Sequence, residues 1–373
     1  MRIDQKGQTE QTRILAYTID YAAQLPPDVG LEYAYKGIFG GYKGLFSAPP
    51  YYLKVQGYRD IENRDMWEYQ LNLTAQQTDR LIMHAWELGN AYFDYFFFKE
   101  NCSYHILSLL EYANPILHLR DHFYLWTIPA DTVRIVMAQP GMVNRVMYRP
   151  SRSTLIKRKR ESLEAGERNV LGRLTDNPGV VQDSMFTEMP LARQALVLDV
   201  ASDFLRYKGE SDDPEVKIYK ERNRQILTER SRLKVPSAEM EIRPYTKQPD
   251  AGHQTSRVGL GAGWRNHDSF EELSVRAAYH DLLDPEEGYT PDAQIEMLGL
   301  ALRRYNRSEQ VRLDRATLVN IISLAPMDQL FQAPSWKVNV GMNTIRHNGC
   351  QLCSNGVASG GIGAAVESSL FKR

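Results

Sequence analysis

Beyond Thr255 the sequence changes period, and that change restricts the possible architecture more than any other feature. The segments SRVGLGAGW, EELSVRAAYHDLL, AQIEMLGLALRRY, VRLDRATLVNIISLAP and SWKVNVGM are each roughly ten residues long, the length of a strand in a large sheet or barrel. Val258, Leu260, Ala262 and Trp264 share one face, with glycines and Arg265 on the other; only an extended chain separates residues this way. Turn clusters at Asn266-His267-Asp268 and Asp284-Pro285 divide the segments. Small residues alternating with aliphatics, and Trp or Tyr near segment ends, predict an antiparallel meander or partial β-barrel. A soluble sandwich is the alternative. The final residues, GVASGGIGAAVESSLFKR, read as a further strand that closes nothing. An edge this apolar is normally paired, so the β-rich region 255–373 is expected to be incomplete.

The preceding region, 151–254, is polar and helical. MPLARQALVLDVASDFLRYK places Leu191, Ala195, Leu198, Val200 and Ala201 at helical spacing, which predicts a packed helix. Lys157, Arg158, Lys159 and Arg160 are consecutive. They form either a solvated helix face or a contact for anionic lipid head groups.

Region 1–150 mixes both periods. Ile14–Ala23 reads as a strand entering a turn at Pro26-Pro27, and the Gly/aromatic stretch Tyr33–Phe46 as a shaped loop. Asp65–Leu73 alternates Trp67, Tyr69, Leu71 and Leu73 as a strand. Thr74 with Gln77 three residues later has capping-box spacing for a helix with Leu81, Trp86 and Leu88 facing inward. The aromatic run Tyr92–Phe98 leads into Asn101-Cys102 and a helix, Ser103–Tyr112, which Pro115 ends. The whole is expected to be α+β in three parts.

At 373 residues the chain exceeds what one core usually organises. Its formal net charge of -1 removes the broad electrostatic basis for nucleic-acid binding. No apolar stretch approaches a membrane-spanning length, and MRIDQKGQTEQTR has no leader-like apolar core. Three cysteines do not make a disulfide framework. Cys350 and Cys353 are C-x-x-C spaced in a Gly/Asn-rich stretch expected to be a loop, with only His347 nearby as a further ligand, so no metal is expected there. No cofactor is expected.

Cys102 is the residue most suited to chemistry. Asn101 is a good N-cap, so the thiol falls at a helix start, where unpaired N–H groups and the helix dipole favour a thiolate. Papain-like enzymes place their nucleophile at such a junction, with a histidine on the facing sheet as base. The alternative is a buried, inert cysteine. Of the histidines, His105 lies one turn along the same helix and is the nearest candidate base. His84 reads as a partly buried packing residue, and His118 and His122 as polar-loop residues. Glu100 reads as surface.

The stretches YAAQLPPDVGLEYAYKGIFGGYKGLFSAPPYYLKV, RDMWEYQLNLT and FFFKENCSYHILSLLEYANP resemble the Lnb-type N-terminal periplasmic domain family, whose named members are bacterial lipoprotein N-acyltransferases. The resemblance spans about residues 1–150 and continues more loosely through RVGLGAGWRNHDSFEELSVRAAYHDLLDP. It implies a circularly permuted papain-like fold similar to lecithin:retinol acyltransferase, with Asn101-Cys102 opening the nucleophile helix. It implies acyl transfer or hydrolysis through a Cys102 thioester, with helix-start amides holding the oxyanion. A lipid, lipoprotein or amide substrate, contact with a membrane surface, and a periplasmic or outer-membrane location follow from it. The aromatics Tyr33, Tyr35, Phe39, Tyr42 and Phe46 are then expected either to form the rim for an acyl chain or to close a packed Ω-like loop. The family's Gly-His pair is not found before MRID; that histidine is expected upstream of Met1, in which case this chain lacks its base. A non-catalytic envelope binding protein and an inactive truncated product are the competing expectations.

Overall fold

The computed structural model describes all residues except 10, 27–30, 211–213, 266, 348–349 and 367–373. Pro27, Asn266 and the end of the last expected strand therefore lie outside the described residues. The chain is 38% helical and 30% strand, the mixed class expected. It divides into two compact units, each assembled from three separate stretches.

The first unit comprises Met1–Asp20, Phe46–Asn72 and Val143–Tyr245. Its core helix is Leu191–Gly209, in which Val197, Leu198, Val200, Ala201 and Leu205 are fully buried. Leu191, at the exposed first position, is not part of that core. Helices Arg152–Glu161, Ala165–Asp176 and Val216–Arg232 pack around it. The basic run at 157–160 is partly internal to this unit. Lys159 pairs with Asp203 at 2.7 Å, and Arg158 donates to the Arg243 and Pro244 carbonyls at 2.9 Å with its guanidinium 3.7 Å from the Tyr245 ring.

Met66–Leu71 pairs antiparallel with Val143–Arg149. Beside it Ile14–Ala23 is not one strand. Thr9 and Thr12 exchange side-chain-to-backbone hydrogen bonds that close a single helical turn, Thr12–Leu15, before short strands at Tyr17–Thr18 and Asp20–Ala23. The polar centre here is Glu68, which accepts hydrogen bonds from Tyr51, Arg149 and Arg2.

The second unit comprises Tyr21–Leu45, Leu73–Met142 and Thr246–Arg373. The stretch expected as a loop is instead a helix, Leu31–Phe39, followed by a strand, Tyr42–Ser47. Its glycines serve the packing. Gly40, at φ +82°, ends the helix in a conformation that suits glycine, and a Cβ at Gly37 would overlap the Phe97 ring. Strands Asp20–Ala23, Tyr42–Ser47 and Tyr92–Tyr95 form a sheet with the second in the middle. Helix Ala75–Glu87 starts with the expected capping box of Thr74 and Gln77. Leu81 and Ala85 are its buried residues, whereas Trp86 is 85% exposed, because the buried stripe follows the i, i+4 spacing that Trp86 leaves.

The C-terminal region is a six-stranded antiparallel meander of Arg257–Arg265, Asp268–His280, Ala293–Tyr305, Gln310–Ser323, Ser335–His347 and Cys350–Gly363, in sequence order. Among the described residues its first and last strands do not pair, so the sheet is open. The stretch holding Cys350 and Cys353 is thus the start of a strand rather than a loop, and Cys353 is disulfide-bonded. Register aligns Val258, Val275, Leu300, Ala316, Met342 and Gly356 across all six strands. On this apolar band Val258 is 70% exposed.

Burial opposes ionisation of Glu68, but the hydrogen bonds from Tyr51 and Arg149 and the charges of Arg2 and Arg149 outweigh it and hold its carboxyl below the usual range. A carboxyl depressed in this way contributes stability that is present above the unfolded carboxylate range and lost as pH falls through the folded value. Glu68→Gln, which leaves Arg149 without its carboxylate and Arg2 with Asp4 alone, is expected to cost about 3 kcal/mol at pH 7. Its deficit should narrow towards acid in pH-dependent denaturant melts.

Candidate active site

The site grows from a buried asparagine. Asn101 is 2% exposed, and its side-chain oxygen accepts from Ser103 N at 3.1 Å, Ser103 Oγ at 2.8 Å and Tyr104 N at 3.3 Å. Its amide nitrogen donates to the Phe97 and Thr127 carbonyls at 3.1 and 2.7 Å. The same side chain therefore caps the helix Cys102–Ala113 and ties it to the segments before and after it. Cys102 becomes the first helical residue, a free and partly exposed thiol.

The cap narrows what the helix start can do. The amides of Ser103 and Tyr104 are occupied by Asn101 and are not aimed at a substrate. The Cys102 N–H instead donates, at 3.3 Å, to the hydroxyl of Tyr95 on the adjoining strand. The Cys102 N–H is thus taken as well, and the Tyr95 O–H is a donor left beside the thiol. Burial, followed by the neighbouring thiol's charge, pushes the Tyr95 phenol well above its ordinary value, so it holds its proton.

Beneath this pair lies an aromatic stack. Tyr21, 1% exposed, stacks on Tyr95 at 5.8 Å and packs at a tilt against the His105 ring at 4.1 Å. Burial, with Glu100, Asp94 and Cys102 adding to it, raises the Tyr21 phenol to about 12. Gly44 faces this ring, and a Cβ there would overlap the Tyr21 hydroxyl. His105 is itself buried and also packs against Phe93 at 5.1 Å. Desolvation, then the charge of Arg120, lowers its pKa to about 4. Among the described residues no histidine is hydrogen-bonded to the Cys102 sulfur. His84 stacks on Tyr112 at 3.8 Å, His118 lies 3.6 Å from Asp121 at the surface, and His122 is exposed.

The expected rim aromatics separate into layers. Tyr42 and Phe46 are core residues at 5% and 6% exposure. Tyr33 bridges inward, 5.0 Å from Phe97 and 6.0 Å from Tyr42. Of the five, Tyr35 and Phe39, whose tilted rings lie 4.8 Å apart, are broadly exposed. Tyr95 was not singled out by sequence. The aromatic run Tyr92–Phe98 marked its neighbourhood, but nothing local distinguished this one ring. The one His/Asp group with ligand atoms close enough to hold a metal, among the described residues, is His253, His280 and Asp284, all in the β-rich region.

The region presents a partly exposed thiol at a capped helix start, in a protein of mixed α and β structure. Residues 1–139 match the model of the Lnb N-terminal periplasmic domain family. The family points to a periplasmic envelope protein. Residues 146–242 and 246–372 match two further families, each described as a domain of unknown function (DUF7842 and DUF7840). No curated protein and no solved structure matches the chain. No helix among the described residues is long and apolar enough to cross a membrane.

Two outcomes follow from this geometry. Asn101→Ala removes a cap and leaves the Phe97 and Thr127 carbonyls unsatisfied, and should destabilise the chain by about 2–3 kcal/mol in denaturant melts. His105, with its folded pKa near 4 against an unfolded value near 6.5, should stay neutral throughout neutral pH. Stability linked to it is complete above the unfolded value and declines as pH falls towards 4. An imidazole NMR titration that shows His105 protonating at pH 6 or above would contradict this.

Proposed function

We propose that this is a periplasmic cysteine acyltransferase or thiol hydrolase, built on a permuted papain-like plan and acting on a lipid, lipoprotein or amide substrate through a Cys102 thioester. The observation that carries this reading is the position of Cys102: a free, partly exposed thiol at the first residue of a helix whose start is locked by the buried Asn101. Attack of the thiolate on an acyl carbonyl forms the thioester and expels the leaving group, and water or an acceptor amine then cleaves it. The Tyr95 hydroxyl supplies an oxyanion contact in this scheme, joined by the Cys102 amide once an incoming oxygen displaces its bond to that hydroxyl. The exposed pair Tyr35 and Phe39 is the part of the aromatic segment open to an acyl chain. The Cys353 disulfide supports a periplasmic site, since disulfides persist in oxidising compartments.

A second reading, a non-catalytic envelope binding protein, is favoured by the burial of His105 against Tyr21 and by its low basicity, which leave it poorly suited to move a proton at neutral pH. Incubation with an activated thioester or nitrophenyl ester, followed by intact and peptide mass spectrometry, separates the two. The enzyme reading expects acylation at Cys102 with turnover, no acylation in Cys102→Ala, and acylation slowed about 10²-fold or more in Tyr95→Phe. Stoichiometric acylation without turnover supports the binding reading, and labelling that ignores Cys102 overturns both the thioester and its site.

A further inference from the structure

The β-rich region holds a second cluster with the chemistry of a site. His253 precedes the first strand of the meander, His280 ends its second strand, and Asp284 lies in the turn that follows. The two imidazoles meet edge to edge, His253 Nε2 lying 2.9 Å from His280 Nδ1. Asp284 Oδ2 stands 3.7 Å from the first nitrogen and 3.9 Å from the second. For a triangle with these three sides, the point equidistant from all three atoms is about 2.1 Å from each, within the range of zinc–nitrogen and zinc–carboxylate bonds.

We infer that His253, His280 and Asp284 form a binding site for a divalent transition-metal ion of the zinc class. The surroundings orient each ligand as an outer shell would. His253 Nδ1 lies 2.6 Å from the Gln254 carbonyl, so it carries the proton and leaves Nε2 with its lone pair directed at the cluster. Both rings lie on one face of Tyr289, with centroids 4.3 and 4.4 Å from it and the His280 ring within 7° of parallel. Tyr289 is itself fixed, donating to the His253 carbonyl at 2.6 Å and accepting from Arg134 at 3.2 Å. Asp284 is held ionised and oriented: Oδ1 pairs with Arg257 at 2.8 Å, and Oδ2 with Arg276 at 2.6 Å and the Asp281 amide at 3.0 Å. Asp281 pairs with the same two arginines, so the carboxylates and guanidinium groups balance in charge.

A plain histidine–histidine hydrogen bond explains the 2.9 Å contact but not the convergence of the carboxylate on both nitrogens. Two neutral nitrogen ligands and one oxygen suit zinc, cobalt or nickel better than calcium or magnesium, which take oxygen ligands. Three protein ligands leave a position for water or another donor.

The test uses the full chain, stripped with chelator and titrated with zinc alone. One zinc per chain is expected, with a rise in Tm that grows with zinc concentration. His253→Gln, at a half-buried position, and Asp284→Asn should each weaken zinc binding by more than the about 10–100-fold that loss of an outer-shell partner costs. Cobalt substitution of the unmutated chain gives a readout independent of whether those variants fold. Visible bands of nitrogen and oxygen ligation support the site. Absence of stoichiometric zinc, binding unchanged in a folded His253→Gln, or a thiolate-to-cobalt charge-transfer band overturns it.

Discussion

The five hydrogen bonds of the Asn101 side chain are the constraint on which the candidate site rests. A helix start leaves amides that need acceptors, and here one buried side chain supplies the acceptor while its own donors reach carbonyls on both flanking segments. The arrangement fixes Cys102 as the first helical residue and leaves its own amide free to meet Tyr95. It also changes the chemical reading of the helix start. Two of the amides that would otherwise bind an anion are already taken. The remaining amide meets a phenol from a different element.

Two partly buried carboxylates, one in each unit, are held by guanidinium groups rather than left to solvent. Glu68 in one unit and Asp284 in the other each draw on two arginines. The consequences differ with the neighbours. Glu68 is closed in by Tyr51 and has a structural role. Asp284 faces two imidazole edges, so the same pairing presents an oriented anion to a potential ligand.

Much of the fold was legible because local patterns carry it. Alternation in the five segments after Thr255 has one physical solution, and the structure places a strand in each. Thr74 with Gln77, and Asn101 before Cys102, are capping signatures whose donors and acceptors lie within three residues, so no distant contact is needed to read them. The errors came where glycine or an aromatic ring had a tertiary purpose. Gly37, Gly40 and Gly41 read as loop residues, yet the first sits in a helix because Phe97 occupies the space a side chain would fill. Trp86 read as core from its hydrophobicity, although its position on the helix turns it outward.

The sequence by itself determined the class of each region and the helix that begins at Cys102, since these depend on residues within a few positions of one another. Tertiary structure decided which side chains surround that sulfur. Tyr21, Tyr95 and His105 come from two strands and a helix, and their stacking depends on strand order and helix placement, for which no short-range pattern exists. The same holds for His253, His280 and Asp284: their ligand atoms converge only once the second strand of the meander has run its length and turned, so the distances that suggest a metal are a property of the folded sheet.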